Sequence, residues 1–141
     1  MDFKISNSYL SFKTSGDTDI IDITSAVSLT VGESGLTVGQ VLIFVPGSIA
    51  AVTTIEYETG VVTDLKEAIE RLAPTGISYW HDAKWGDGNG YAHVGAALLG
   101  PSLTIPLIQG RLVLGTWQQI VLVDFDNEPR DRKVLVSISG A

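Results

Sequence analysis

Residues 39–57, GQVLIFVPGSIAAVTTIEY, contain two apolar segments that decide the fold. Val41–Val45 is an uninterrupted apolar run between Gly39 and Pro46. It is too short for a helix, and a run of this kind predicts a strand that is buried on both faces. A second strand is predicted over Ala50–Tyr57, because this segment is rich in β-branched residues.

The clearest predicted helix follows these strands. Its apolar side chains recur at helical spacing between residues 61 and 72, and Pro74 marks the end. Asp64 is expected in the first turn, where a carboxylate stabilises the helix dipole. Glu67 and Arg71 are spaced to form an ion pair on the exposed face.

Two shorter helices are also predicted. One spans the region around residues 26–30, is capped by Thr24 or Ser25, and ends near Gly32 and Gly35. The other is a helix of small residues over Ala92–Leu99.

The remaining segments predict strands. The N-terminal segment over residues 3–12 has polar positions on both faces and is expected at a sheet edge. Four further strands, separated by Gly and Pro, are predicted at Leu103–Leu107, Leu112–Leu114, Gln119–Phe125 and Val134–Ile138. The order has no regular βαβ alternation, which predicts one α+β domain over residues 1–141, with a mixed or antiparallel sheet or sandwich and two to three helices.

Composition narrows the class of protein. The chain has 141 residues, 45% of them hydrophobic, which is rich for a monomer and makes association of subunits a working hypothesis. The net charge of −7 argues against nucleic-acid binding, which needs clustered Lys and Arg. The absence of cysteine excludes disulfides and thiolate chemistry. No apolar run approaches the length of a membrane span, so a cytoplasmic protein is expected.

The segment from Trp80 to Gln119 holds both histidines and all three tryptophans, and we expect the functional site there. His81 and His93 lie twelve positions apart, with Asp82, Asp87 and Asn89 between them. A loop that brings them together provides ligands for one divalent cation such as zinc. The alternative is that each histidine is a hydrogen-bonded loop or interface residue.

Several other polar residues are candidates for a binding site. Asp87-Gly88-Asn89-Gly90 forms either two tight turns or a backbone cradle for a phosphate, with Asn89 donating to an oxygen. Ser48 lies in a predicted turn, where its hydroxyl is placed to hold an anion. Glu56 precedes the predicted helix and, from its position alone, is expected to be solvated.

Two clusters near the C-terminus each have more than one interpretation. Trp117 and Gln118 interrupt apolar strands and form either core, a pocket floor or a subunit contact. Arg130 and Arg132, next to Lys133, are by default a solvated strand end. They are also the only basic cluster dense enough to bind a phosphate or diphosphate.

The chain as a whole resembles the YjbQ-like family. The resemblance rests on motifs that occur in order along the chain: Pro46, Ala50, Glu56, Asp64, His81, Asp87-Gly88-Asn89, His93, Leu99-Gly100-Pro101-Ser102, Leu114-Gly115-Thr116-Trp117-Gln118-Gln119, and Asp124-Phe125-Asp126 with Arg130 and Arg132. It implies a single YjbQ-like domain over residues 1–141 that assembles as a homotrimer. It also implies a secondary thiamine-phosphate synthase activity, which joins a pyrimidine methyl diphosphate to a thiazole phosphate. This activity is expected either as the main reaction or as a side reaction.

The resemblance assigns a role to each candidate. His81 and His93 hold a divalent metal (zinc, magnesium or manganese), Glu56, Asp87 and Asn89 are catalytic, and no organic cofactor is expected. The residues expected to bind the phosphorylated small molecule are Ser48, Trp117, Gln118, Arg130 and Arg132.

The chain departs from the family pattern after Pro46. Many members have His-Thr-Thr-Ala there, whereas this chain has Gly47-Ser48-Ile49-Ala50, so a third imidazole is missing. The alternatives are therefore a non-catalytic trimer that binds an anion or metabolite, and a metal-dependent hydrolase.

Overall fold

A computed structural model describes residues 2–141. Its eight strands are β1 (Lys4–Thr14), β2 (Asp19–Asp22), β3 (Gly39–Phe44), β4 (Ala50–Ile55), β5 (Ser102–Ile108), β6 (Arg111–Leu112), β7 (Gln119–Asp124) and β8 (Arg130–Gly140). Its four helices are α1 (Thr24–Ser34), α2 (Thr59–Leu72), α3 (Trp80–Trp85) and α4 (Gly90–Leu99). No helix of this part of the chain is long and apolar enough to span a bilayer.

The strands form two antiparallel sheets. The larger has the order β1-β8-β3-β5-β6, and the smaller has the order β2-β7-β4. The fold is therefore α+β, as predicted, with antiparallel pairing throughout the described strands. β1 lies at a sheet edge, which confirms the prediction for the N-terminal segment.

The central strand β7 is buried on both faces. Ile120 and Leu122 point into the core between the two sheets, while Val121 and Val123 point into a second core beneath α2 and α4. All four side chains are completely buried. Three layers therefore pack together: the large sheet, the small sheet and a helical layer.

The prediction that Val41–Val45 is buried on both faces was wrong. Within β3, Val41 and Ile43 are completely buried, but Leu42 points to the opposite face and is 38% exposed. A short apolar run does not distinguish a strand with two covered faces from one whose second face is open in a single subunit. In this chain β7 is the doubly covered strand.

The helices differ from prediction mainly at their starts. The Glu58 side chain caps α2 by accepting hydrogen bonds from the Gly60 and Val61 N–H groups, so Asp64 lies beyond the first turn. α1 has no side-chain cap from its N-cap residue Ile23, but Asp22 accepts from the N–H of Thr24. The ends at Gly35 and before Pro74 are confirmed.

Two further elements were not predicted, namely β2 and α3, which raises the number of helices to four. The predicted Glu67–Arg71 ion pair does not form among residues 2–141. Both side chains are exposed, and surface pairs of this kind contribute little free energy.

The pairing of β3 with β8 requires glycine at one end. Gly39 lies opposite Gly140, with φ angles of 149° and 154°. A Cβ on Gly39 would lie 2.0 Å from the Ser139 carbonyl oxygen, so the two strands approach too closely for any side chain.

We predict that Gly39→Ala lowers the free energy of unfolding by about 3 kcal/mol or more, because the new methyl group collides with backbone atoms. Gly32→Ala is the matched control, since nothing lies within 4 Å of its added Cβ in α1. The control should stabilise the protein by about 0.5–1 kcal/mol. Urea denaturation measures both, and equal stability of the two variants would contradict the strand register.

Candidate functional site

Small residues bring α4 close to the small sheet. A Cβ on Gly95 would lie 2.7 Å from the Phe125 ring, and Ala92 and Ala96 are also buried against this surface. The helix of small residues is thus confirmed and explained by close packing. His93 projects from this helix and remains partly exposed.

His81 lies on α3, in a segment that was predicted to be a loop. The His81 and His93 rings meet with their centroids 4.3 Å apart and their planes inclined by 40°. The structure therefore brings together the two residues that the sequence singled out first.

Asp82 orients the His81 ring. Its Oδ1 lies 3.2 Å from His81 Nδ1 and accepts a hydrogen bond of 2.8 Å from the Gly90 N–H. A carboxylate only accepts hydrogen bonds, so the proton lies on Nδ1 and Nε2 is directed elsewhere. Carboxylates hold metal-binding histidines in the same way.

The turn between α3 and α4 needs glycine for two different reasons. Gly88 adopts a φ of 69°, as the Asp-Gly signal predicts. Gly90 does not have a positive φ, but a Cβ there would lie 2.6 Å from Tyr79 Cβ. The second predicted tight turn is therefore wrong, because Gly90 is the first residue of α4.

Burial lowers the pKa of His93, and the neighbouring His81 lowers it further. The carboxylates of Asp87, Asp126 and Asp82 act in the opposite direction without reversing the shift. His93 is therefore neutral near pH 7, which is the form that donates one N–H and offers one lone pair.

Asn89 precedes His93 by one helical turn. Its side-chain Oδ1 is buried and has no hydrogen-bond partner within residues 2–141. Asp87, in contrast, is exposed, and its carbonyl oxygen lies 3.5 Å from Asn127 Nδ2.

His93 faces a hollow of about 320 Å³ whose other walls include Gly47, Ser48 and Pro101. Nothing lies within 4 Å of a Cβ built on Gly47, so the space beside this residue is open. Ser48 is exposed at the rim. The hollow, the two imidazoles and the Ser48 hydroxyl form what we call the histidine site.

The histidine site offers two protein ligands to a metal. Within residues 2–141 no third His, Asp or Glu joins them in a metal-binding group. Catalytic zinc sites use three protein ligands, so this arrangement by itself falls one ligand short. The Asp82–His81 contact suits a metal, and the divalent cation stays a prediction.

Glu56 and Trp117 lie in a different hollow, of about 540 Å³, together with Tyr57 and Gln119. The Gln118 side chain fixes the adjacent loop, since its Oε1 accepts from the Gly115 N–H at 3.0 Å and its Nε2 donates to Thr54 Oγ1 at 3.1 Å. The catalytic role of Glu56 and the ligand-binding roles of Trp117 and Gln118 stay predictions.

The interpretation of the basic cluster as a solvated strand end was wrong for Arg132, whose side chain is 17% exposed, whereas Arg130 is 46% exposed at the start of β8. Arg132 donates to both carboxylate oxygens of Asp124, at 2.7 and 3.2 Å, and to Asp126 at 3.0 Å. Arg130 donates to Asp126 at 2.7 Å and lies 3.1 Å from Glu128. We call these paired charges the aspartate–arginine network; anion binding by its arginines stays a prediction.

The two aspartates of this network are completely buried. Burial opposes ionisation of Asp126, but the hydrogen bond and charge of Arg130, together with the Asn127 N–H and the charge of Arg132, outweigh it and hold the pKa of this carboxyl below its usual value. This contribution to stability is present above the ordinary carboxyl pKa and is lost as the pH falls through the lowered one.

A third cavity lies against α4 on another side and contains Tyr91. Burial raises the pKa of the Tyr91 hydroxyl, and the charges of Asp17, Asp126 and Glu70 raise it further. The hydroxyl therefore stays protonated at neutral pH.

Sequence reasoning missed the structural roles of Asp82, Asp124 and Asp126. The signal for the last two was present, because two carboxylates follow the apolar run of β7 and two arginines follow them. Buried carboxylates need partners of opposite charge, which Arg130 and Arg132 supply.

The fold and the histidine site define a class: a three-layered α+β domain that pairs two imidazoles beside an open hollow. The family model described as "UPF0047 protein YjbQ-like" matches residues 8–141. The chain belongs to this YjbQ-like family.

Relatives and solved structures agree with this assignment. A UPF0047 protein of Archaeoglobus fulgidus is 41% identical over 90% of this chain and 96% of its own length, and one from Methanothermobacter thermautotrophicus is 38% identical over 93% and 90%. A crystal structure of a YbjQ-like protein of unknown function from Sulfolobus solfataricus superimposes with a TM-score of 0.95, 34% identity, and coverage of 99% of this chain and 100% of the other. The crystal structure of an uncharacterised family member from Clostridium acetobutylicum superimposes with a TM-score of 0.85 at 39% identity. It covers 93% of this chain and 98% of the other.

Proposed function

We propose that the histidine site binds the phosphate or diphosphate group of a small molecule. The observation that carries this proposal is the 4.3 Å approach of the His81 and His93 rings beside the hollow lined by Ser48. Imidazole N–H groups and a serine hydroxyl are donors that suit phosphate oxygens. Asp82 occupies Nδ1 of His81, which leaves Nε2 for a contact with the bound group.

We expect the protein to bind inorganic pyrophosphate. The double variant that combines His81→Ala and His93→Ala should bind it at least about tenfold more weakly, since two charge-assisted hydrogen bonds are lost. Isothermal titration calorimetry measures this, first with EDTA and then with manganese or zinc added. The matched control is Lys84→Ala, which removes an exposed charge on the same helix as His81. Equal affinity of the double variant and the wild-type protein would contradict the proposal.

A further variant tests whether the histidine site binds a metal. Gly47→His places a third imidazole in open space beside His93, at a backbone position without a positive φ. This variant should retain zinc more tightly than the wild-type protein in elemental analysis. Zinc retention that does not change in either Gly47→His or the double histidine variant would remove the metal from the proposal.

Thiamine-phosphate synthesis is the reaction that the family resemblance suggests for this site. In that reaction the bond between the pyrimidine methylene carbon and the diphosphate oxygen breaks, and the oxygen leaves with the electron pair. The thiazole nitrogen then supplies the pair for the new C–N bond. The residues of the histidine site would orient the diphosphate and compensate its growing charge, which is where positioning lowers the barrier.

The synthase assay uses the purified protein, both substrates, and magnesium or manganese. We expect thiamine phosphate above the level of a protein-free control, and loss of this excess in the double histidine variant. A non-catalytic anion-binding protein is the alternative, and the incomplete metal ligand set favours it. Binding of pyrophosphate without product formation would select that alternative.

We further propose that the chain assembles as a homotrimer through the outer face of the large sheet. Ile5, Tyr9, Leu42 and Ile108 are 62%, 64%, 38% and 54% exposed on strands of this sheet. Their cross-strand neighbours in the middle of the face, such as Ser137 and Thr104, are uncharged in a chain of net charge −7. An apolar face of this kind is typical of subunit contacts.

The trimer predicts a particle of about three times 15.0 kDa by light scattering. Leu42→Lys should dissociate it without unfolding, because Leu42 points away from the core. A monomeric wild-type protein would overturn the assembly.

A further inference from the structure

A cavity of about 290 Å³ lies between the β1–β2 loop, α2 and α4, and none of the roles proposed above involves it. It is lined by Asp17, Thr18, Lys66, Glu70, Thr75 and Tyr91. Tyr91 and His93 are two residues apart on α4, which places their side chains about 200° apart around the helix. The cavity is therefore separate from the histidine site.

The Tyr91 side chain is the first sign of a ligand. Only 7% of the residue is exposed, yet its hydroxyl forms no hydrogen bond with residues 2–141. The hydroxyl groups of Tyr57 and Tyr79, in contrast, donate to the backbone carbonyls of Ile20 and Pro74. A hydroxyl that opens into a cavity from a largely buried side chain, without a protein partner, is available to bind a guest molecule.

The backbone of the β1–β2 loop is the second sign. Asp17 and Thr18 have φ angles of 55° and 57°, and a β-branched residue rarely adopts this left-handed conformation. The conformation is enforced by a 2.7 Å hydrogen bond from the Asp17 N–H to the Asp126 carbonyl oxygen. Strained residues that the fold maintains in this way cluster at ligand sites.

The charges around the cavity indicate the chemistry of the guest. Asp17 and Glu70 contribute carboxylates, and Lys66 contributes an ammonium group that forms no ion pair within residues 2–141. Glu70 Oε1 accepts from the Thr75 N–H and hydroxyl at 3.1 and 3.2 Å, which positions the carboxylate at the cavity wall. A purely anionic guest would face the carboxylates, and a purely cationic one would face Lys66.

We propose that this cavity binds a small zwitterion of the amino-acid type. Its ammonium group would lie between Asp17, Glu70 and the Tyr91 oxygen, and its carboxylate would pair with Lys66. The volume suits a molecule of this size, since it lies at the lower end of the range for small-ligand sites. The Thr18 and Thr75 hydroxyls provide further partners for either group.

The test screens the standard L-amino acids, each at about 10 mM, for a rise in the melting temperature of the full-length protein. The amino acid with the largest effect is then compared by calorimetry with its methyl ester and with its deaminated hydroxy acid. We expect both analogues to bind at least about tenfold more weakly, because each lacks one charged contact. The absence of any thermal shift, or an ester that binds equally well, would overturn the proposal.

Two tyrosine variants separate binding from folding. Tyr91→Phe should weaken the affinity about tenfold and leave the melting temperature of the unliganded protein unchanged or higher, since its hydroxyl has no protein partner to lose. Tyr79→Phe should lower the melting temperature by about 2–4 °C and keep the affinity. The proposal fails if Tyr91→Phe binds like the wild-type protein.

The double variant that combines His81→Ala and His93→Ala tests whether the cavity and the histidine site bind independently. This variant should keep its affinity for the amino acid even where its affinity for pyrophosphate is lost. Parallel loss of both affinities would show that the cavity does not act as a site of its own.

Discussion

The two sheets are joined by a buried ionic cluster on which the rest of the arrangement depends. Asp124 ends β7 of the small sheet and accepts from Arg132 of β8 and from the Thr14 hydroxyl of β1, both at 2.7 Å. The large and small sheets therefore meet at one carboxylate. Buried ion pairs add little net free energy relative to apolar residues, but they tolerate few alternative geometries. The aspartate–arginine network thus fixes where β7 ends, and with it the surface on which α4 packs.

The position of α4 determines the functional surfaces. Phe125 follows Asp124, and its ring lies where a side chain on Gly95 would have to go, so the helix is held close to the sheet. One side of the helix then presents His93 to His81, and another presents Tyr91 to the strained β1–β2 loop. That loop is itself attached to the network through Asp17 and Asp126. The same ionic cluster supports both proposed binding sites.

Much of this arrangement could be predicted from the sequence, because hydrophobic period and turn residues are local signals. They locate β1, β4, α2 and α4 and give the α+β class. Which strand is covered on both faces depends on contacts that are distant in the sequence. The apolar runs of β3 and β7 are similar, and only the packed structure shows that the Leu42 side chain is exposed. The convergence of His81 and His93 was expected, whereas the positive φ of Thr18 leaves no mark in the sequence. The two carboxylates and two arginines follow one another closely in the sequence, but their pairing geometry depends on how β7 of the small sheet meets β8 of the large sheet.

A double-mutant cycle with Asp124→Leu and Arg132→Met measures the joining of the sheets most directly. If the network fixes their arrangement, Arg132→Met alone lowers the free energy of unfolding by about 3–5 kcal/mol, because it leaves buried carboxylates without their partner. The double variant should then be more stable than Arg132→Met alone, with a coupling free energy of about 2 kcal/mol or more. Additive effects, within about 0.5 kcal/mol, would contradict this account.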